Sequence, residues 1–305
     1  MVGVQSTHAA RLMSKPHQRG ARLGAATTRA LEPDAAVSPA EAASGRLEPR
    51  KLEELRRRFV ERGVVVLDNA LPVAALDALR PILDANTVRQ EVDPGWEGML
   101  VPRHAPWVSP EICCSPILEQ CAAAFLGTSG VPEGALLTIY QSNTNLPGTD
   151  SVQEMHMDDH WDWPDAAAAA SADQPHPHGA WTLAPGAVAH CCVQRTSTAC
   201  VRACAETMSL VANWGTDDIT LERGATALWP CSHKVVGVAT HSRADLRDDS
   251  MDLEECHGDA VWDAYEAGQT YPARMVLAKG SVAFRDTRIF HHAVPKYPPF
   301  LLPPG

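Results

Sequence analysis

The sequence contains no run of about eighteen apolar residues, so no membrane-spanning helix is expected. It also lacks an excess of basic residues: 26 Lys and Arg against 37 Asp and Glu leave a formal charge of −11. Phosphate recognition needs clustered Lys and Arg, so no nucleic-acid partner is expected, and an anionic membrane surface is disfavoured. Much of the acidity falls between Asp245 and Glu266, which reads as a solvated loop or helix face. There is no secretory hydrophobic segment, and the nine cysteines show no paired C-x-x-C spacing. An odd count that includes Cys113-Cys114 and Cys191-Cys192 points to thiols in a reducing, intracellular setting, not to a disulfide framework or a zinc site.

What is present is a globular composition, with 45% hydrophobic and 21% charged residues. Residues 1–46 read as a disordered or targeting segment. The first 31 residues carry Arg11, Lys15, Arg19, Arg22 and Arg29 with no acid, which suits an organelle transit peptide or a disordered tail. Order is expected from Leu47, with residues 47–305 forming one domain. LEELRRRFVERG places Leu52, Leu55, Phe59 and Val60 at helical spacing and stops at Gly63. Val64 to Leu67 then reads as a strand, and VAALDALRPILDA as a second helix.

From Ala135 onward the pattern becomes short strands broken by turn residues: ALLTIYQ, MSLVANW, GATALWP, RMVLAKG and SVAFRD. The expected architecture is mainly β with flanking helices, around a double-stranded β-helix of the jelly-roll or cupin-like kind. Ala166 to His178 reads as a surface loop, and Trp181 to Glu206, which has no clear period, as an insertion. An insertion is therefore expected around 166–206.

The stretch QEMHMDDHWDWP carries the chemistry. On a strand, His156 and Asp158 point to one face, so an imidazole and a carboxylate can share one metal ion. Asp159 and His160 add a second candidate pair, but neighbours on a strand face opposite ways, which favours Asp158. Two His and one carboxylate on one face form the ligand set of non-haem Fe(II) oxygenases. The third ligand is then a distant His, and GSVAFRDTRIFHHAVPK offers His291 and His292 after a strand pattern.

Four pieces, in order, resemble the phytanoyl-CoA dioxygenase family of Fe(II)- and 2-oxoglutarate-dependent oxygenases. They are the helix followed by Gly63-Val64-Val65-Val66-Leu67, the pair His156 and Asp158, the run Asp218, Thr220, Gly224, Ala225, Thr226, Pro230, Cys231, Ser232, His233, and finally Asp286, Arg288, His291. The resemblance spans about residues 50–296. It implies Fe(II) held by His156, Asp158 and His291, with 2-oxoglutarate as co-substrate and Asn213 near it. It further implies oxygen-dependent hydroxylation of a C–H bond in a small organic substrate. Related halogenases replace the carboxylate ligand with a small residue, so Asp158 points to hydroxylation. His233 is expected to cap or hydrogen-bond its own turn.

Two departures stand out. Cys231 occupies the usual glycine of the turn. The Arg that clamps the co-substrate carboxylate in family members, downstream of the distal His, has no counterpart after His291, where Lys296 is the only cation. The expectation is a chain that ends before the last family strand. The alternatives are an inactive homologue or a jelly-roll protein that binds metal without redox chemistry.

Overall fold

The computed structural model describes residues 29–86, 88–89, 96–101, 104–105, 107–127, 135–145, 158, 189–195, 209–235 and 264–294. The helices are α1 (Pro39–Ser44), α2 (Pro49–Arg62), α3 (Val73–Asp84), α4 (Pro110–Cys113), α5 (Pro116–Phe125) and α6 (Ser232–Val235). The strands are β1 (Ala35–Ala36), β2 (Val64–Asp68), β3 (Val88–Arg89), β4 (Trp96–Leu100), β5 (Ala135–Asn145) and β6 (Ala189–Arg195). They continue with β7 (Ser209–Trp214), β8 (Ala227–Leu228), β9 (Ala273–Arg274), β10 (Val282–Asp286) and β11 (His291–His292).

Eight strands form one sheet in the order β1-β2-β10-β7-β6-β5-β4-β3, and β11-β8-β9 form a second. Among the described strands of the large sheet, β1 and β2 pair parallel and the other pairs are antiparallel. The expected opening of helix, strand and helix is present as α2, β2 and α3. α2 buries Leu55 and Phe59 and ends where Gly63 adopts φ +72° and donates its N–H to the Phe59 carbonyl. β2 is apolar without alternation because both of its faces are covered. Val65 and Leu67 pack with the helices, whereas Val64 and Val66 pack with Leu228, Ala273 and Met275 of the second-sheet side.

Aromatic contacts tie the helical layer to the sheet. Phe59 of α2 stacks on Phe125 of α5 with centroids 4.6 Å apart, and Phe125 meets Phe284 of β10 edge-on at 5.3 Å. Burial of each such ring contributes about 1.5–3 kcal/mol. The period of two along β10 therefore sends Val282 and Phe284 to the helices and Ala283 to the other face. Arg285, two residues after Ala283, lies on that second face.

Three expectations change. The segment 29–46 is folded, so the boundary expected at residue 46 is too late; residues 1–28 lie outside the described residues. Asp34 is the anchor: its Oδ1 accepts from Arg58 and Arg62 at 3.0 and 2.7 Å, and its Oδ2 accepts from the Val66 N–H at 2.9 Å. The stretch from 181 to 206, expected as an insertion without a clear period, contains β6, which pairs with β5 on one side and β7 on the other. A strand bonded on both sides is set by its partners, so its own sequence need not alternate. RMVLAKG forms only the short β9 and an isolated bridge from Leu277 to Ile219. The loop expected at 166–178 and the tail 295–305 lie outside the described residues. Among the described residues, no helix is long and apolar enough to cross a membrane.

Candidate metal centre

The site forms where β10 turns into β11. β10 ends at Asp286, whose side chain is fully buried and gripped by Arg288. The Arg288 backbone N–H and Nε both donate to Asp286 Oδ1 at 2.9 Å, and Nη2 donates to Oδ2 at 2.7 Å. This closed clamp sets the tight turn. The Phe290 N–H donates to Ser232 Oγ at 3.0 Å, and the Trp229 N–H donates to the Phe290 carbonyl at 2.9 Å. The run Pro230-Cys231-Ser232-His233 thus holds the chain just ahead of His291. Asp286 and Arg288 shape the turn.

Asp158 docks on the same turn through its backbone, donating its N–H to the Thr287 carbonyl at 3.1 Å. Its carboxylate then lies between two side chains. Arg285 Nη2 donates to Oδ2 at 2.5 Å, and His291 Nε2 faces Oδ1 at 3.3 Å. His291 Nδ1 lies 3.0 Å from the Ile289 carbonyl and 3.2 Å from Arg285 Nη1. When Nδ1 carries the proton and donates it to Ile289, Nε2 keeps its lone pair toward Asp158. Arg285 and His291 are buried and Asp158 half-buried, which raises the strength of each electrostatic contact.

This arrangement fits a metal ion. Bonds of about 2.1 Å to an imidazole nitrogen and a carboxylate oxygen, at roughly a right angle, hold the two atoms about 3 Å apart. The 3.3 Å between Nε2 and Oδ1 is close to that spacing. The remaining atoms, Nδ1 and Oδ2, are each held from outside, which is how metal-ligating His and carboxylate groups are usually oriented.

His156, the third expected ligand, lies outside the described residues, as do Asp159 and His160. Among the described residues no group of three His, Cys, Asp or Glu side chains converges, so Asp158 and His291 stand as a pair. His292 points away from this pair and lies against Trp229 with ring centroids 5.5 Å apart. Asn213 is fully buried on β7, opposite Ala283 of β10, while Arg285 is opposite Val211. Register therefore puts Asn213 on the face that carries Arg285. His233 sits elsewhere: its Nε2 donates to the Val60 carbonyl at 3.1 Å, closing the last turn of α2 instead of its own turn. Sequence reasoning passed over Arg285. The signal was there, since VAFRD places one cation on a strand whose other residues are apolar until the final Asp.

No family model matches the chain. Similar solved structures include the non-heme alpha ketoglutarate dependent carbocyclase SnoK from nogalamycin biosynthesis. It is 16% identical, with 81% of this chain and 78% of that one covered and a TM-score of 0.49. The epimerase SnoN in complex with Fe3+, alpha ketoglutarate and nogalamycin RO is 17% identical over 82% of this chain and 79% of that one, with a TM-score of 0.47. HygX from Streptomyces hygroscopicus, with nickel, 2-oxoglutarate and hygromycin B bound, is 15% identical over 80% and 81%, with a TM-score of 0.45.

Proposed function

We propose that the chain is an Fe(II)- and 2-oxoglutarate-dependent dioxygenase of the phytanoyl-CoA dioxygenase kind, built on a jelly-roll core, that hydroxylates a C–H bond of a small organic substrate. His156, Asp158 and His291 are the proposed metal ligands. The observation that carries the reading is the facing pair Asp158 Oδ1 and His291 Nε2, 3.3 Å apart in a buried site. When bound, Fe(II) with 2-oxoglutarate and oxygen supplies the oxidising power for such a hydroxylation.

The chain's own residues supply the rest. Asp158 offers one carboxylate oxygen, and His291 offers Nε2, which faces that oxygen, when Nδ1 donates to the Ile289 carbonyl. Asn213 lies on the same face as Arg285 and is proposed to meet the co-substrate.

Anaerobic Fe(II) titration followed by conversion of 2-oxoglutarate to succinate in air tests the proposal. Uptake of Fe(II) and iron-dependent succinate formation are expected for the full chain. Fe(II) uptake without succinate would mean a non-redox metal protein. No uptake at all would remove the metal centre itself.

A further inference from the structure

Arg285 is in contact with both Asp158 and His291, and the ligand assignment does not use it. Its guanidinium donates from Nη2 to Asp158 Oδ2 at 2.5 Å, and its Nη1 lies 3.2 Å from His291 Nδ1. With Asp158 Oδ1 and His291 Nε2 facing each other at 3.3 Å, the three side chains form a ring. Arg285 is 1% exposed and belongs to β10, which pairs with β2 on one side and β7 on the other. Its position is therefore set by the middle of the sheet and not by a loop.

We infer that Arg285 is a positioning residue: it holds Asp158 Oδ2, so that Oδ1 is presented beside His291 Nε2, and it keeps that carboxylate aligned before a metal ion enters. This rests on the proposed metal centre. Three physical points lead to it. A carboxylate with both oxygens free can rotate and chelate through either or both, whereas one oxygen held by a guanidinium leaves a single ligand atom in a fixed direction. A planar guanidinium on a buried strand holds that oxygen in one fixed direction, which the point charge of lysine on its flexible stem does not do. The charge of Arg285 also compensates Asp158 in a buried site, where a lone carboxylate would be costly.

A competing cation would act in the opposite direction. If Arg285 merely occupied the metal's place, its removal would free Asp158 and tighten metal binding. The two roles therefore differ in sign, and metal affinity separates them without any turnover measurement.

The experiment is a titration of the full chain with Mn(II), read by calorimetry and by the spin-resonance signal of free Mn(II). Arg285→Met is expected to bind Mn(II) about 10–100-fold more weakly than the unaltered chain, the usual effect of losing an outer partner of a metal ligand. Thermal unfolding of the metal-free variant shows whether the fold is retained. Because loss of a buried cation can unfold the chain, Arg285→Lys is measured beside it. It keeps the charge but not the fork, and a several-fold loss, smaller than that of a folded Arg285→Met, is expected. Unchanged or tighter Mn(II) binding in whichever variants fold overturns the positioning role. If the unaltered chain takes up neither Mn(II) nor Fe(II), the metal centre falls and Arg285 is a structural ion-pair partner only.

Discussion

His233 fills the space that a side chain at Gly63 would need. A Cβ on Gly63 would lie 2.5 Å from His233 Nδ1 and 2.6 Å from Ile289 Cδ1, and the residue has φ +72°. Helix α2, the turn that carries His233 and the chain leading to His291 meet at this point. Gly63→Ala adds left-handed backbone strain to an overpacked contact, and a loss of about 2–4 kcal/mol is expected. Urea denaturation measures it; a loss under about 1 kcal/mol would show that the contact yields easily.

Cys231 is the converse case. Its φ is +73°, a conformation that favours glycine, and its N–H donates to the Arg62 carbonyl at 2.7 Å. Cys231→Gly relieves the strain at some entropic cost in the unfolded chain. A net gain of about 0.5–1 kcal/mol is expected. The urea midpoint should rise with the slope unchanged.

The same histidine makes stability depend on pH. Burial pushes the His233 pKa below its ordinary value of 6.5, partly offset by the nearby Asp286 carboxylate. With Nε2–H donated to Val60, Nδ1 is buried with no hydrogen-bond partner among the described residues, and a proton there would meet Gly63. The unfolded chain binds this proton more readily than the folded one. Stability from this group is therefore full above pH 6.5, declines as pH falls below it, and levels off beneath the lowered folded value. Urea midpoints across this range should show the decline in the unaltered chain and a shallower one in His233→Gln. Equal slopes would assign the dependence to other groups.

Asp286 and Arg288 should behave as a unit. Removing either leaves a buried charge without its bidentate partner, and Asp286→Ala or Arg288→Ala is expected to cost about 3–5 kcal/mol. The double variant should cost clearly less than the two losses added together. Additive losses would mean that the clamp is not the source of either effect.

The adjacent histidines should separate by function. His291→Ala is expected to abolish Fe(II) uptake, as is His156→Ala under the proposed ligand set. His292→Ala removes the contact with Trp229 and should lower stability by about 1 kcal/mol while Fe(II) uptake persists. The reverse result, with uptake lost in His292→Ala and kept in His291→Ala, would reassign the distal ligand.

Much of the frame was legible because its causes are local. The stripe Leu52, Leu55 and Phe59 with the stop at Gly63 yields α2 from periodicity and one permissive residue. The spacing of Asp286, Arg288 and His291 encodes a turn that closes on itself, so it works wherever the strand lies. The helix missed at residues 39–44 was also local: Ser38 and Glu41 form a reciprocal capping box, and Pro39 opens the first turn.

The sequence by itself determined the residue types of the site, the order in which they occur, and the helix, strand and turn around them. Only the tertiary structure decided that residues 29–46 fold back on Asp34, that β6 lies inside the sheet, that His233 closes α2, and that Arg285 holds Asp158. Each of these depends on partners far away along the chain. A bond from Arg62 to Asp34, or from Arg285 to Asp158, leaves no period or spacing to read. It exists because strand register and helix packing bring distant atoms within reach, and the free energy that selects it belongs to the folded whole.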